Sequence, residues 1–269
     1  MNFLEYLKFI LYGLIQGLTE FIPVSSTAHL KVISIFLGID DPGASLSATI
    51  QLGSVFAIAL YFRNDIFNFR SQSSKKYLDY LINERLLRSI LIGTIPIVLL
   101  GGSIKLFAPY FFDNVLRSNL SIALVSLLMA FFMYLADSSK RGSINIKNHN
   151  YSASFLIGFF QAFAIFPGVS RSGVTISSAL ISGWERAEAA KFSFLLGMPA
   201  IALAAIVEFI SSFHDFFSLG FLPLFVGLIT TFLSSLLAIE FLLKYYSSNG
   251  LKIFIIYRVI FGVVILLNL

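Results

Sequence analysis

The stretch IFPGVSRSGVTIS, residues 165–177, sets proline, glycine, hydroxyl residues and Arg171 into an otherwise apolar chain. Irregular backbone at membrane depth survives only when it is buried in protein or lines a polar cavity, so its surroundings decide how this chain folds. They are those of a membrane protein. The 269 residues are 57% hydrophobic and 12% charged, with mean hydropathy +0.87 and 30 Phe against 1 Trp, far from the soluble average. Uncharged, mostly apolar runs cover 42–62, 118–136 and 216–239, each near the roughly 20 residues that cross the hydrocarbon core as a helix. Shorter runs cover 89–104, 192–207 and 251–269, the last interrupted by Arg258. Six transmembrane helices are expected.

The net charge of +5 reports cytoplasmic loops against an anionic membrane surface rather than a nucleic-acid partner. The chain has no cysteine, which excludes disulfides and thiolate metal sites. Glu20 interrupts the first apolar run and no small-residue cleavage pattern follows, so the N-terminus reads as retained structure rather than a signal peptide. Arg63, Arg70, Lys75, Lys76, Arg85 and Arg88 outnumber Asp65, Asp79 and Glu84 in one loop, and Lys140, Arg141 and Lys147 mark a second. Both should be cytoplasmic. Asp40, Asp41 and Asp215 lack a nearby positive excess and belong outside.

This alternation holds if residues 3–37 and 152–182 enter and leave the membrane on the same side. Each is about two short helices long and is broken centrally, at FIPVSSTAH (21–29) and at FPGVSRSGVT (166–175). Both read as re-entrant helical hairpins; two kinked crossing pairs would preserve the same loop orientations. At a constant offset of 145 residues, Gly13, Gln16, Phe21, Val24, Ser25 and Gly38 fall on Gly158, Gln161, Phe166, Val169, Ser170 and Gly183. This internal repeat continues into three spans in each copy, and an odd number inverts the second copy. The expectation is an all-α integral membrane protein with an inverted-topology repeat, copies at about 1–136 and 152–269 joined by a cytoplasmic loop. In such proteins the site lies near the midplane where broken helices of the two copies meet.

An intramembrane charge costs about 2.5–3.5 kcal/mol on the insertion scale and marks a functional site by default. Glu20 and Arg171, one from each hairpin, qualify, although a structural ion pair would also account for them. Their company favours function: Ser25, Ser26, Thr27 and His29 lie near one, Ser170, Ser172 and Thr175 near the other. Gln16 and Glu20 share a helical face; Ser25 or Ser26 taken singly reads as an N-cap after Pro23. Together these residues supply a hydroxyl nucleophile or positioned water, a general base or acid, and an orienting group. The turn at Gly168 opens a helix whose backbone N–H groups face an anion, and Arg171 can grip phosphate oxygens bidentately. That array stabilises a phosphoryl group in transit.

QGLTEFIPVSSTAHL (16–30) with PGVSRSGVT (167–175) resembles the undecaprenyl-diphosphate phosphatase, or bacitracin-resistance, family, with further similarity in IQLGSVFAIALYFR (50–63) and AAKFSFLLGMPA (189–200). The resemblance implies an inverted-repeat fold and an enzyme that hydrolyses undecaprenyl diphosphate to the monophosphate and phosphate. That reaction recycles the carrier for peptidoglycan synthesis at the outer face of the bacterial plasma membrane and confers bacitracin resistance. It implies catalytic roles for Glu20, Ser26, His29 and Arg171, and phosphate contacts from Ser170 and Thr175. Gln16, Ser25, Thr27, Gly168 and Ser172 complete the expected substrate site. The first signature position, often Glu in relatives, is Gln16 here. A divalent cation, Mg²⁺ or Ca²⁺, is implied, with Glu20 as its protein ligand. Either Ser26 activated by His29 or His29 itself could be the nucleophile, with Ser26 preferred.

Expected partners are a polyprenyl diphosphate and membrane lipid, with a homodimer left open and no nucleic acid. The rival from another class is a lipid-phosphate flippase, because inverted repeats with broken helices also build secondary transporters. An acid phosphatase with Ser-Arg and a downstream His does not fit, since no His follows Ser170 until His214. Arg258 and Glu208, at or within apolar spans, read equally as snorkelling or structurally paired residues. Lys31 reads as snorkelling.

Overall fold

A computed structural model describes residues 3–67, 74–108, 110, 115–139, 142–214, 216 and 221–268. Arg70, Lys140, Arg141 and Asp215, used above for loop charge, lie outside the described residues. The helices are α1 (Phe3–Phe21), α2 (Ser26–Leu37), α3 (Gly43–Ile50), α4 (Leu52–Tyr61), α5 (Arg63–Phe67), α6 (Ser74–Phe107), α7 (Asn119–Asp137), α8 (Tyr151–Ala162), α9 (Arg171–Ile181), α10 (Arg186–Ser211), α11 (Phe221–Tyr246) and α12 (Lys252–Leu267). A 3₁₀ turn, Phe163–Ile165, extends α8.

By length and composition, five helical stretches can cross a membrane: Gly43–Tyr61, Glu84–Phe107, Asn119–Asp137, Arg186–Ser211 and Phe221–Tyr246. The first joins α3 to α4 at Gln51, whose backbone stays helical. The sixth expected span, α12, has 16 residues and reaches only about 24 Å. Helix α2, of 12 residues, reaches about 18 Å, too short to cross, as a hairpin arm should be. Helices also run past the apolar segments where their charged ends find partners. Helix α10 extends beyond 192–207 because Arg186 pairs with Asp137 (2.8 Å), Lys191 with Asp65 (2.6 Å) and Glu208 with Lys105 (2.5 Å).

Packing repeats between the halves. Helix α1 packs on α11, and its counterpart α8 packs on α6, the counterpart of α11. Helix α4 meets α11 as α10 meets α6, while the equivalent pairs α3 with α10 and α7 with α12 pack on each other. That exchange is what two copies related by a two-fold axis produce. Backbone conformation follows the same 145-residue offset: Ser25 (φ 77°) and Ser170 (φ 67°) are the only non-glycine residues at positive φ among those described, and Gly38 and Gly183 are both left-handed.

The helices approach closely at small residues, as membrane interfaces do. A Cβ on Gly158 would stand 2.1 Å from Gly93 O, and one on Gly13 2.6 Å from Gly227 O, again symmetry-related contacts. Backbone on the far side cannot yield as a side chain can. Gly158→Ala is therefore expected to destabilise by at least about 1–3 kcal/mol, the usual cost of overpacking, read as a lower melting temperature in detergent. Gly13→Ala should behave alike; an unchanged melt for both would show that these helices are free to separate.

Candidate active site

The two broken turns meet at a cavity of about 740 Å³. Its deep wall carries Glu20, Ser25, Ser26 and Thr27 from the first hairpin and Ser170 and Arg171 from the second. Its sides are apolar, with Val98 of α6 and Leu203 of α10 among them, and Lys105, Arg117 and Glu208 lie at the charged ends of those walls.

Glu20, 7% exposed, organises the deep end. Its Oε2 accepts from Gln16 Nε2 (2.6 Å) and from Ser26 Oγ (2.8 Å), and its Oε1 accepts from Arg171 Nη2 (3.0 Å). Helical spacing puts Gln16 one turn behind Glu20, and the break at Pro23 lets the chain turn back so that Ser26, at the start of α2, faces the same carboxylate. A hydroxyl that already donates to a carboxylate is placed to lose its proton.

Arg171 also donates from Nη1 to Ser193 O (3.3 Å), while its buried Nε has no partner among the described residues. The guanidinium fork has five N–H donors, so a bound anion would find donors still free. The slot that receives it is made by Gly197 of α10: a Cβ there would stand 1.2 Å from Nη1. No side chain other than hydrogen leaves Arg171 room to lie against that helix.

Helices α2 and α9 both begin at this wall, and the N–H groups of residues 26–28 and 170–172 have no acceptor among the described residues. Two helix N-termini converging on one cavity form an anion site. The serines that precede them carry the left-handed backbone, which costs about 1–3 kcal/mol for a non-glycine residue. Ser170 Oγ offsets part of this by accepting from Gly173 N (3.2 Å).

The family model described as bacitracin resistance protein BacA matches residues 9–264. The chain belongs to the BacA family. It is 89% identical over 268 residues to a Prochlorococcus marinus (strain AS9601) protein called undecaprenyl-diphosphatase, covering 100% of this chain and 98% of that one. Proteins with the same name from strains MIT 9301 and MIT 9515 are 90% and 63% identical, each covering 99% of this chain and 100% of their own length.

Several residues expected at the BacA site stand behind the cavity wall rather than on it. Gln16 acts through Glu20; Ser172 Oγ lies 3.2 Å from Ser170 Oγ and donates to Ile22 O (3.3 Å). Thr175, one turn into α9, donates to Arg171 O (2.7 Å) and contacts Ser193 Oγ (2.5 Å), so it braces the arginine's backbone. The carbonyl of Gly168 is taken by Arg258. His29 is the largest departure, because the expected contact with Ser26 is absent. Its Nδ1–H donates to Ser25 O (2.7 Å), which leaves Nε2 of a neutral ring to accept from Tyr257 O–H (2.6 Å), and the ring stacks on Phe261. Lying one turn into α2, His29 faces α12 and ties the backbone of the Ser25–Ser26 turn to Tyr257.

His29→Ala is accordingly expected to lower kcat, and His29→Asn, whose amide can still donate to Ser25 O, to recover at least about tenfold of the loss, well inside the 10²–10⁴ of a general base. Equal losses in both variants, with an altered pH profile, would return His29 to the proton-transfer step. Lys31 donates to Arg117 O rather than snorkelling, and Glu208 pairs with Lys105 and accepts from Ser45 Oγ (2.9 Å). Ser193 and Gly197 lie inside AAKFSFLLGMPA (189–200), where a glycine in a helical run ahead of Pro199 is a sign of close approach.

The donor set fits a resident divalent cation poorly. Glu20 is a lone carboxylate with donors on both oxygens, no group of three His, Cys, Asp or Glu residues comes together among the described residues, and Gln16 brings a third donor where a second carboxylate would stand. A hard cation takes six or more oxygens, several of which water and substrate phosphate can supply; from the protein, Glu20 offers one carboxylate already holding three donors, and Gln16 Oε1, unpartnered among the described residues, is a further acceptor beside it.

Proposed function

We propose that the chain hydrolyses undecaprenyl diphosphate to undecaprenyl phosphate and inorganic phosphate at this cavity, the reaction for which its relatives are named. The observation that carries the reading is Arg171: a buried guanidinium held on Glu20 and Ser193 O, with donors left over, beside two helix N-termini and a hydroxyl already bonded to a carboxylate. The lipid-phosphate flippase has no comparable support, since passage of an anion needs no hydroxyl aligned on a base.

The terminal phosphate sits among the N–H groups opening α2 and α9 and the free donors of Arg171. Ser26 Oγ attacks its phosphorus as its proton passes to Glu20 Oε2. The bond from that phosphorus to the bridging oxygen breaks, and the lipid monophosphate leaves with the electron pair on that oxygen. Water then attacks the phosphoserine; Glu20 returns the proton it took to Ser26 Oγ as that oxygen leaves, the water's own protons stay on the departing phosphate, and phosphate, the serine hydroxyl and an ionised Glu20 result. Throughout, Arg171 and the backbone N–H groups stabilise charge on the transferring group, the dominant demand of this chemistry. Any divalent cation enters on the diphosphate's own oxygens, as counter-ion of the substrate, and no step above is assigned to it.

The lipid tail leaves sideways between α6 and α10, where Val98, Leu203 and Val207 line the cavity yet are 44%, 47% and 45% exposed. We assign the chain to the bacterial plasma membrane with the cavity facing outside. Asp41, Lys105, Arg117 and Glu208 sit at the cavity end, while Asp65, Asp137, Arg186 and Lys191 pair at the other, next to the loops with cationic excess.

The test is phosphate release from undecaprenyl diphosphate by detergent-purified wild type, with chelator, Mg²⁺ or Ca²⁺. Turnover is expected, with metal dependence that follows the metal–diphosphate complex rather than a fixed protein affinity. Folded wild type that releases no phosphate under any metal condition would overturn the assignment.

A further inference from the structure

Arg258 of α12 is completely buried, and among the described residues its guanidinium bonds only backbone carbonyls: Nη1 to Pro23 O (3.0 Å), Nη2 to Gly168 O, and Nε to Ser126 O (3.4 Å). No carboxylate of the described residues is among its partners. A cation without a counter-charge is a costly way to satisfy acceptors in a membrane interior, and a neutral amide could serve one of them. What Arg alone offers is a rigid fork that reaches two carbonyls at once.

Those two carbonyls are equivalents. Pro23 and Gly168 differ by the same 145 positions that relate Ser25 to Ser170, and each lies in the irregular turn between the helices of its hairpin, where its carbonyl has no helical partner. Pro23 sits midway between Glu20 and Ser26; Gly168 is three residues before Arg171. One side chain thus spans the two turns at the point that sets how far the carboxylate and hydroxyl of one hairpin stand from the arginine of the other. The neighbouring Tyr257 holds His29 of the same turn. Arg258 itself does not line the cavity, so it cannot act by touching the substrate.

We infer that Arg258 is a positioning residue for phosphoryl transfer: a clamp across the two re-entrant turns that holds Ser26 and Glu20 at working distance from Arg171. This rests on the proposed hydrolysis, but the clamp has a geometric readout of its own. Because the chain has no cysteine, spin labels can be placed at Ile35→Cys and Phe163→Cys, both on exposed faces of the two hairpins, and their separation measured by pulsed electron resonance.

In the full-length protein, Arg258→Gln and Arg258→Lys should each broaden the distance distribution between the labels. Each should also lower kcat by about 10²-fold, as a displacement near 1 Å can, with KM within about threefold of wild type. Arg171→Ala should leave the label distance unchanged. An unbroadened distribution with kcat near wild type in both variants would overturn the clamp. So would a change confined to KM, which would make Arg258 a ligand contact, or failure of both variants to fold, which would make it a residue of the fold alone. If wild type releases no phosphate but the variants still broaden the distribution, hydrolysis fails and the clamp stands.

Discussion

Arg171→Ala should lower kcat/KM by about 10³-fold or more while the protein stays folded in detergent. Removing one preorganised donor to a developing negative charge costs about 10²–10³ in kcat, and here the side chain takes with it both its fork and the counter-charge to Glu20. Arg171→Lys should recover little, since a point charge cannot hold Glu20 Oε1 and Ser193 O while offering further donors to phosphate. The competing explanation is a structural ion pair joining the hairpins. Breaking a buried pair from one side costs about 3–5 kcal/mol, whereas replacing both partners is often neutral. The double variant Glu20→Gln with Arg171→Met separates the two: a purely structural pair predicts a recovered melt together with recovered activity. We expect the melt to recover and phosphate release to stay lost.

Gly197→Ala should abolish most activity although residue 197 contributes no chemical group. The new Cβ would lie 1.2 Å from Arg171 Nη1 and 2.1 Å from Cζ, closer than any relaxed contact, so the guanidinium must leave its place. Helix α10 itself tolerates alanine better than glycine, by about 0.8–1 kcal/mol of propensity; the fold should therefore survive. The expected result is a loss of about 10²-fold or more in kcat, the scale of a misplaced catalytic group, with a lower melting temperature, because the displaced guanidinium leaves the Glu20 carboxylate unpaired. Wild-type turnover would show that Arg171 works from another position than the one against Gly197.

Much of this molecule was legible as sequence. The six apolar runs, the hairpins and the inverted repeat follow from hydropathy and from sparse identities at one offset, because a bilayer demands long uncharged helices and forbids irregular backbone outside protein. Glu20, Ser26 and Arg171 stood out for the same reason: polar groups at that depth are costly, so few are present and each has a purpose. Helices run on past the apolar runs where ion pairs such as Arg186 with Asp137 hold their charged ends, since hydropathy does not register a partner distant in the chain.

Which of the polar residues face the cavity was not legible. His29 and Ser26 look like a nucleophile and its base when read three apart, yet His29 turns to Tyr257, 228 positions away, and Ser26 turns to Glu20. Gly197 carried no reading of its own until Arg171 was found lying where a side chain there would be. Arg258 read equally as a snorkelling or a structurally paired residue until both hairpins were found to share it. Sequence determined which groups this protein must keep out of lipid, because that cost is paid residue by residue. Only the tertiary structure decided which of them meet, because every decisive contact joins one copy of the repeat to the other or depends on where the chain turns back.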